Sequence, residues 1–103
     1  MRKVTKDAHE AFNNNKRFKS SNTEVRIEDG DTNMYLFGKH IAKKTNDGLY
    51  ISDGNYRASV TTSDRLNGFR SVHLRICKGD WIFDNKRKWD GEWINVNDIW
   101  KMK

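Results

Sequence analysis

Three histidines, one cysteine and a scatter of carboxylates are the residues that could do bond chemistry in this chain. His9, His40 and His73 share no spacing of the kind a zinc site uses, and Cys77 is the single thiol that could join them. A nucleophilic Cys77 needs a helix terminus or a cation to lower its pKa, and Lys78 is the one neighbour that offers either. Glu28, Asp29 and Asp31 surround one glycine and Asp90 and Glu92 another, without the ligand number or closing glutamate of a calcium loop. The glycines stand singly, and none leads a lysine-serine or lysine-threonine pair into a helix as a phosphate loop does. The expectation is a protein that is not an enzyme and has no metal and no cofactor.

Basic residues interleaved with aromatics offer a different chemistry. Lys16, Arg17 and Lys19 flank Phe18, Lys43 and Lys44 follow Lys39 and His40, and Lys86, Arg87 and Lys88 precede Trp89. Lysine and arginine neutralise phosphates and exposed aromatic faces stack on unpaired bases, so this mixture suits a single-strand binder. The candidate nucleic-acid contacts are Lys16, Arg17, Lys19, Lys43, Lys44, Lys86, Arg87 and Lys88. Arg65 with Trp89 and Trp93 forms the alternative, a hot spot for a protein partner. Burial habits alone favour tryptophans in the core over tryptophans on a platform.

The elements that must position these residues are short. Over Thr5 to Asn15 the spacing predicts a helix, with Thr5 as N-cap and Val4, Ala8, Ala11 and Phe12 on one side; Asn13, Asn14 and Asn15 end it. Lys16 to Lys19 reads as a basic loop. Thr23 to Glu28 alternates as a half-buried strand, and Asp29-Gly30 is a hairpin turn. A second strand at Asn33 to Phe37 continues through Ile41 and Ala42 after an irregularity at Gly38. Leu49 to Ser52 is a third strand, extended by Tyr56, Ala58 and Val60.

Thr61 or Thr62 caps a two-turn helix that stops at Gly68. Val72, Leu74 and Ile76 then alternate with polar neighbours, Lys78-Gly79 turns, and Trp81 to Phe83 returns, the strongest hairpin pattern in the chain. Trp89 to Val96 fits either a last strand or a loop, and Asn97 to Trp100 a final helical turn. The fold class is therefore α+β: a short N-terminal helix, an antiparallel β-meander, a short middle helix, and a C-terminal β-hairpin with a tryptophan-rich tail.

Residues 1–103 read as one domain, a size at which a single core forms. Hydrophobic residues make up 35% and charged residues 33%, so four Trp, three Tyr and five Phe must supply much of the buried area. The net charge of +6 favours polyanions or acidic surfaces as partners. No apolar run is long enough to span a membrane, and the opening Met1-Arg2-Lys3-Val4-Thr5-Lys6 does not lead into a secretory signal, so the expected location is the cytoplasm.

Four stretches carry a resemblance: Asn22-Thr23-Glu24-Val25, Leu36-Phe37-Gly38-Lys39-His40-Ile41-Ala42, Thr61-Thr62-Ser63-Asp64-Arg65-Leu66-Asn67, and Trp89-Asp90-Gly91-Glu92-Trp93. In that order they resemble small proteins of tailed bacteriophages. The resemblance implies an origin, with the host cytoplasm as the place of action, and carries over no activity and no site residue. Small basic non-enzymes of phages often act by binding nucleic acid or host machinery. The leading expectation is accordingly a non-enzymatic accessory protein that binds nucleic acid, or a nucleic-acid-bound complex, through a basic surface. The alternative is a protein-protein inhibitor of a host enzyme or of a host defence complex, an anti-defence role.

Overall fold

Alternating side chains and left-handed turns dictate most of the path. The computed structural model describes residues 2–55 and 58–102. Its elements are helix α1 (Lys3–Asn13), strands β1 (Phe18–Ser20), β2 (Thr23–Glu28), β3 (Asp31–Leu36), β4 (Lys39–Thr45) and β5 (Gly48–Ile51), helix α2 (Val60–Leu66), strands β6 (Leu74–Cys77), β7 (Asp80–Phe83), β8 (Arg87–Trp89) and β9 (Ile94–Asn95), and a 3-10 helix at Val96–Lys101. The architecture is α+β, as the sequence pattern requires. Among the described residues the strands form an antiparallel sheet in the order β1-β2-β3-β4-β5-β9 and a second sheet in the order β6-β7-β8.

Helix α1 begins two residues before Thr5. Arg2 occupies the N-cap without a side-chain bond, and Thr5 is buried inside the helix, where its hydroxyl is engaged by Arg65 and Asp64 and is not free to cap. The buried positions Thr5, Ala8, His9 and Phe12 recur every three or four residues and form the stripe that faces the sheet. Asn15 leaves the helix with φ 54°, the left-handed conformation that asparagine tolerates.

Two parts of the meander differ from expectation. Phe18 to Ser20 are an edge strand and not a loop, in register with β2 through Phe18 opposite Val25, because Phe18 packs its ring against the core. The chain also reverses at Gly38 and does not continue through it. Phe37 (φ 52°) and Gly38 (φ 76°) form a two-residue turn with both φ positive, which matches strand twist and makes β3 and β4 separate antiparallel strands. The irregularity falls within β4 instead: Met34 faces Ala42 but Tyr35 faces His40, leaving Ile41 as an extra residue. Ile41 and Ala42 are both fully buried as a result.

Of the residues expected to extend the third strand, Tyr56 lies outside the described residues, Ala58 sits in a bend, and Val60 opens α2. Ser59, not Thr61 or Thr62, is the cap, its Oγ accepting from the Thr62 N–H at 3.1 Å. Helix α2 hands over at Asn67, whose side-chain amide donates to the Leu74 carbonyl and accepts from the Leu74 N–H, both at 2.7 Å. That double bond sets where β6 starts, two residues later than the alternation suggests. The ambiguous tail resolves into β9, paired with β5 through Tyr50–Asn95 and Ile51–Ile94, and the 3-10 helix.

One cluster of buried side chains joins the layers. Val25, Met34, Leu36, Ile41, Ala42 and Ile51 line the inner face of the large sheet, Ala8, Phe12, Leu66 and Phe69 meet them from the helical side, and Leu74, Trp81, Phe83 and Trp89 come from the small sheet. This one-sided burial leaves the other face of the large sheet for polar and aromatic side chains.

Candidate nucleic-acid interface

Strand pairing turns that second face into two rows. Lys19, Glu24, Tyr35 and His40 succeed one another across β1 to β4, and Arg26, Asn33, Lys43, Tyr50 and Asn95 do so across β2 to β9. Side chains on adjacent strands of one face lie close enough to interact directly. Here the contacts form an unbroken chain. The Arg26 guanidinium lies 4.3 Å from the centre of the Tyr35 ring. Tyr35 stacks on His40 at 4.7 Å with 17° between the planes. His40 meets Trp93 edge-on at 4.8 Å. The Lys43 ammonium sits over Trp93 at 4.7 Å and over Tyr50 at 5.5 Å.

Three of the members are also held by polar side chains. The Tyr35 hydroxyl donates to Glu28 Oε1 at 2.8 Å, His40 Nε2 donates to Asn33 Oδ1 at 2.8 Å, and Arg26 pairs with Glu24 at 3.0 Å. Partial burial pushes the His40 pKa down, and the nearby Lys43 and Arg26 charges push the same way, so the ring is neutral at pH 7 and stacks without a charge of its own. Burial and the Glu28 carboxylate push the Tyr35 phenol up, which keeps it protonated. Trp93 is 40% exposed. Arg26 and His40 pack on the Tyr35 ring and Lys43 on Trp93, so the row presents ring edges, cations and the exposed part of Trp93, with their orientation set by these contacts and by the sheet.

The structure distributes the sequence candidates unevenly. Arg17 and Lys19 line a groove of about 470 Å³ at the β1–β2 edge, together with Arg26 and the carboxylates Glu24 and Glu28. Lys43 stands in the aromatic row. Lys44, one residue on, reaches the opposite side, where its ammonium donates to the Phe12 carbonyl at 3.1 Å and covers the Phe12 ring. Lys16 is exposed beyond α1. Lys86, Arg87 and Lys88 belong to the small sheet's last hairpin. There Arg87 pairs with Asp84 and donates to the Met102 and Trp100 carbonyls, and Lys88 pairs with Asp80 at 3.5 Å. Of the alternative trio, Arg65 is 1% exposed and Trp89 is buried with its indole donating to the Glu92 carbonyl, so Trp93 alone reaches the surface.

Arg26, Tyr35, His40 and Tyr50 are the members that sequence reading misses. Strict alternation along β4 would put His40 and Lys43 on opposite faces. The extra residue at Ile41 shifts the register and brings both to the same one.

Among the described residues no three His, Cys, Asp or Glu side chains are grouped to hold a metal ion, and no helix is long and apolar enough to cross a membrane. No curated protein and no solved structure matches the chain. The family model described as Kyanoviridae Gp96 protein matches residues 1–101, in keeping with the phage-like stretches, and the chain belongs to that family of phage proteins.

Proposed function

We propose that this phage protein acts by binding, not catalysis, and that it takes single-stranded nucleic acid across the open face of its large sheet in the host cytoplasm. The observation that carries this reading is the chain of contacts from Arg26 through Tyr35, His40 and Trp93 to Lys43 and Tyr50. Every base has a π face, so the exposed Trp93 ring accepts a base irrespective of its identity, while the adjacent cations take the phosphates. A closed duplex presents no such faces and is the poorer ligand. Charge assists without dominating, because Arg17, Lys19, Arg26 and Lys43 share this side with Glu24 and Glu28.

Fluorescence anisotropy with a labelled oligothymidylate tests the proposal. Trp93→Ala should weaken binding by about 1–3 kcal/mol, the usual worth of one base–aromatic stack, and Tyr35→Ala, which removes the ring that His40 stacks on, should weaken it in the same direction. Lys43→Ala should make the slope of log Kd against log salt shallower by roughly 0.7, the single-strand value for one phosphate contact. Joint replacement of Lys86 and Lys88 by Ala should change little. Full affinity in the two aromatic variants, or no measurable binding of any single strand, would refute the reading.

A further inference from the structure

At the end of the aromatic row the face dips into a groove of about 330 Å³, bounded by Tyr35, His40 and Trp93 and by the polar residues Lys39, Ser52, Asn55 and Glu92. That volume is at the small end of the range for organic-ligand sites, suited to a single planar heterocycle. Two of these, Asn55 and Glu92, combine fixed backbones with exposed side chains, whereas the Ser52 hydroxyl is taken up by the His40 carbonyl and the Gly54 N–H. The Glu92 N–H donates to Asp90 Oδ1 at 2.9 Å, and its carbonyl accepts the Trp89 indole at 3.0 Å. The Asn55 N–H donates to Asp53 Oδ1 at 2.8 Å. Yet neither the Glu92 carboxylate nor the Asn55 amide has a hydrogen-bond or ion-pair partner among the described residues. Backbones pinned this firmly, with side-chain groups left over, are what a recognition site needs.

We propose that this groove selects guanine from a bound strand, an inference that rests on the single-strand reading above. Guanine alone of the common bases presents two adjacent donors, N1–H and the 2-amino group, which one carboxylate accepts together, and its O6 takes a donor of the kind the Asn55 amide provides. Adenine and cytosine each offer Glu92 one amino group. Thymine and uracil offer one N–H flanked by carbonyl oxygens that the carboxylate repels. The exposed Trp93 ring takes the base against one face while its edge is read, so stacking gives affinity and Glu92 gives the choice.

The test is a set of oligothymidylates in which one central base is thymine, guanine, hypoxanthine, adenine or cytosine. Guanine should bind about tenfold tighter than thymine, the lower part of the range for a bidentate contact, with hypoxanthine in between because it lacks the 2-amino group. Glu92→Gln should abolish the preference while leaving plain oligothymidylate bound as tightly as before or slightly more so, since a negative charge is gone from the phosphate path. Free guanosine 5′-monophosphate should compete only at far higher concentration, because it cannot use the rest of the row. Equal binding of all five strands, a preference that survives Glu92→Gln, or competition by the mononucleotide at matching concentration would each overturn guanine selection within a strand. Failure of every strand to bind would overturn the underlying reading as well.

Discussion

His9 shows how much one side chain can commit to the interior. It lies on α1 at 6% exposure, donates from Nε2 to the Arg65 carbonyl at 2.6 Å, and sets its ring against the edge of Phe69 at 4.3 Å. Its Nδ1 is buried with no partner among the described residues. Gly68 faces the ring so closely that a Cβ there would stand 2.1 Å from Nε2, so no other residue type fits at that position without displacing His9. Burial is the main force pushing the His9 pKa down, and the Arg65 charge adds to it; the bond to the Arg65 carbonyl and the Asp64 charge push the other way without reversing the result. The native imidazole thus resists a proton that the unfolded chain accepts near pH 6.5. Stability is therefore complete above about pH 6.5 and is lost as pH falls from there towards the depressed native pKa, below which the loss levels off. Urea unfolding at pH 7.5, 6.5 and 5.5 should show a falling midpoint, and His9→Gln, which keeps an N–H donor, should flatten the His9 share. His40, also shifted down, accounts for what slope is left. An unchanged slope in His9→Gln would show that His9 is not the titrating group.

Between elements, Arg65 is the principal clamp. From α2 it donates to Thr23 Oγ1 on β2 at 2.8 Å, to Thr5 Oγ1 on α1 at 2.7 Å, to Asn22 Oδ1 before β2 at 3.2 Å, and to its neighbour Asp64 at 2.8 Å. Asp64 also accepts the Thr5 hydroxyl, closing the network. A buried guanidinium is tolerable only with acceptors for most of its five N–H groups, here four, and removing it strands those acceptors. Arg65→Met should destabilise the protein by about 3–5 kcal/mol, read from urea or thermal unfolding. A loss below ~1 kcal/mol would mean that the acceptors find other partners. This clamp was not legible in the chain, because an arginine beside Leu66 reads as surface and its partners are 42 and 60 residues away in sequence. Strands β2 and β7 and the turns at Asp29-Gly30 and Lys78-Gly79 were legible, since alternation and turn type are local properties. Strands β1 and β9 were not: three and two residues carry no period, and β9 exists only because β5 offers it an edge.

For the whole molecule, net charge raises an expectation about the class of partner but says nothing of where a partner would sit. The eight basic candidates scatter over both faces and both sheets, whereas the aromatic row came from register, which depends on every turn and on the extra residue in β4. What fixes Trp93 in that row is the joint between the sheets. Asp53, after β5, accepts the Trp81 indole of β7 at 3.1 Å and gives its own N–H to the Gly91 carbonyl at 3.0 Å. Gly91 has φ 87°, and a Cβ there would fall 2.0 Å from Asp53 Oδ2, on the oxygen that holds the indole. Gly79 has nearly the same φ, 83°, with nothing within 4 Å of its absent Cβ. Alanine at either position incurs the left-handed backbone penalty of about 1–2 kcal/mol. Gly91→Ala must also push Asp53 aside, release Trp81 and shift the segment that carries Trp93. It should therefore lose clearly more stability than Gly79→Ala and weaken oligonucleotide binding as well, while Gly79→Ala binds normally. Equal losses in the two variants, with equal affinity, would show that the joint yields freely and that Trp93 is positioned by its contacts with His40 and Lys43 alone.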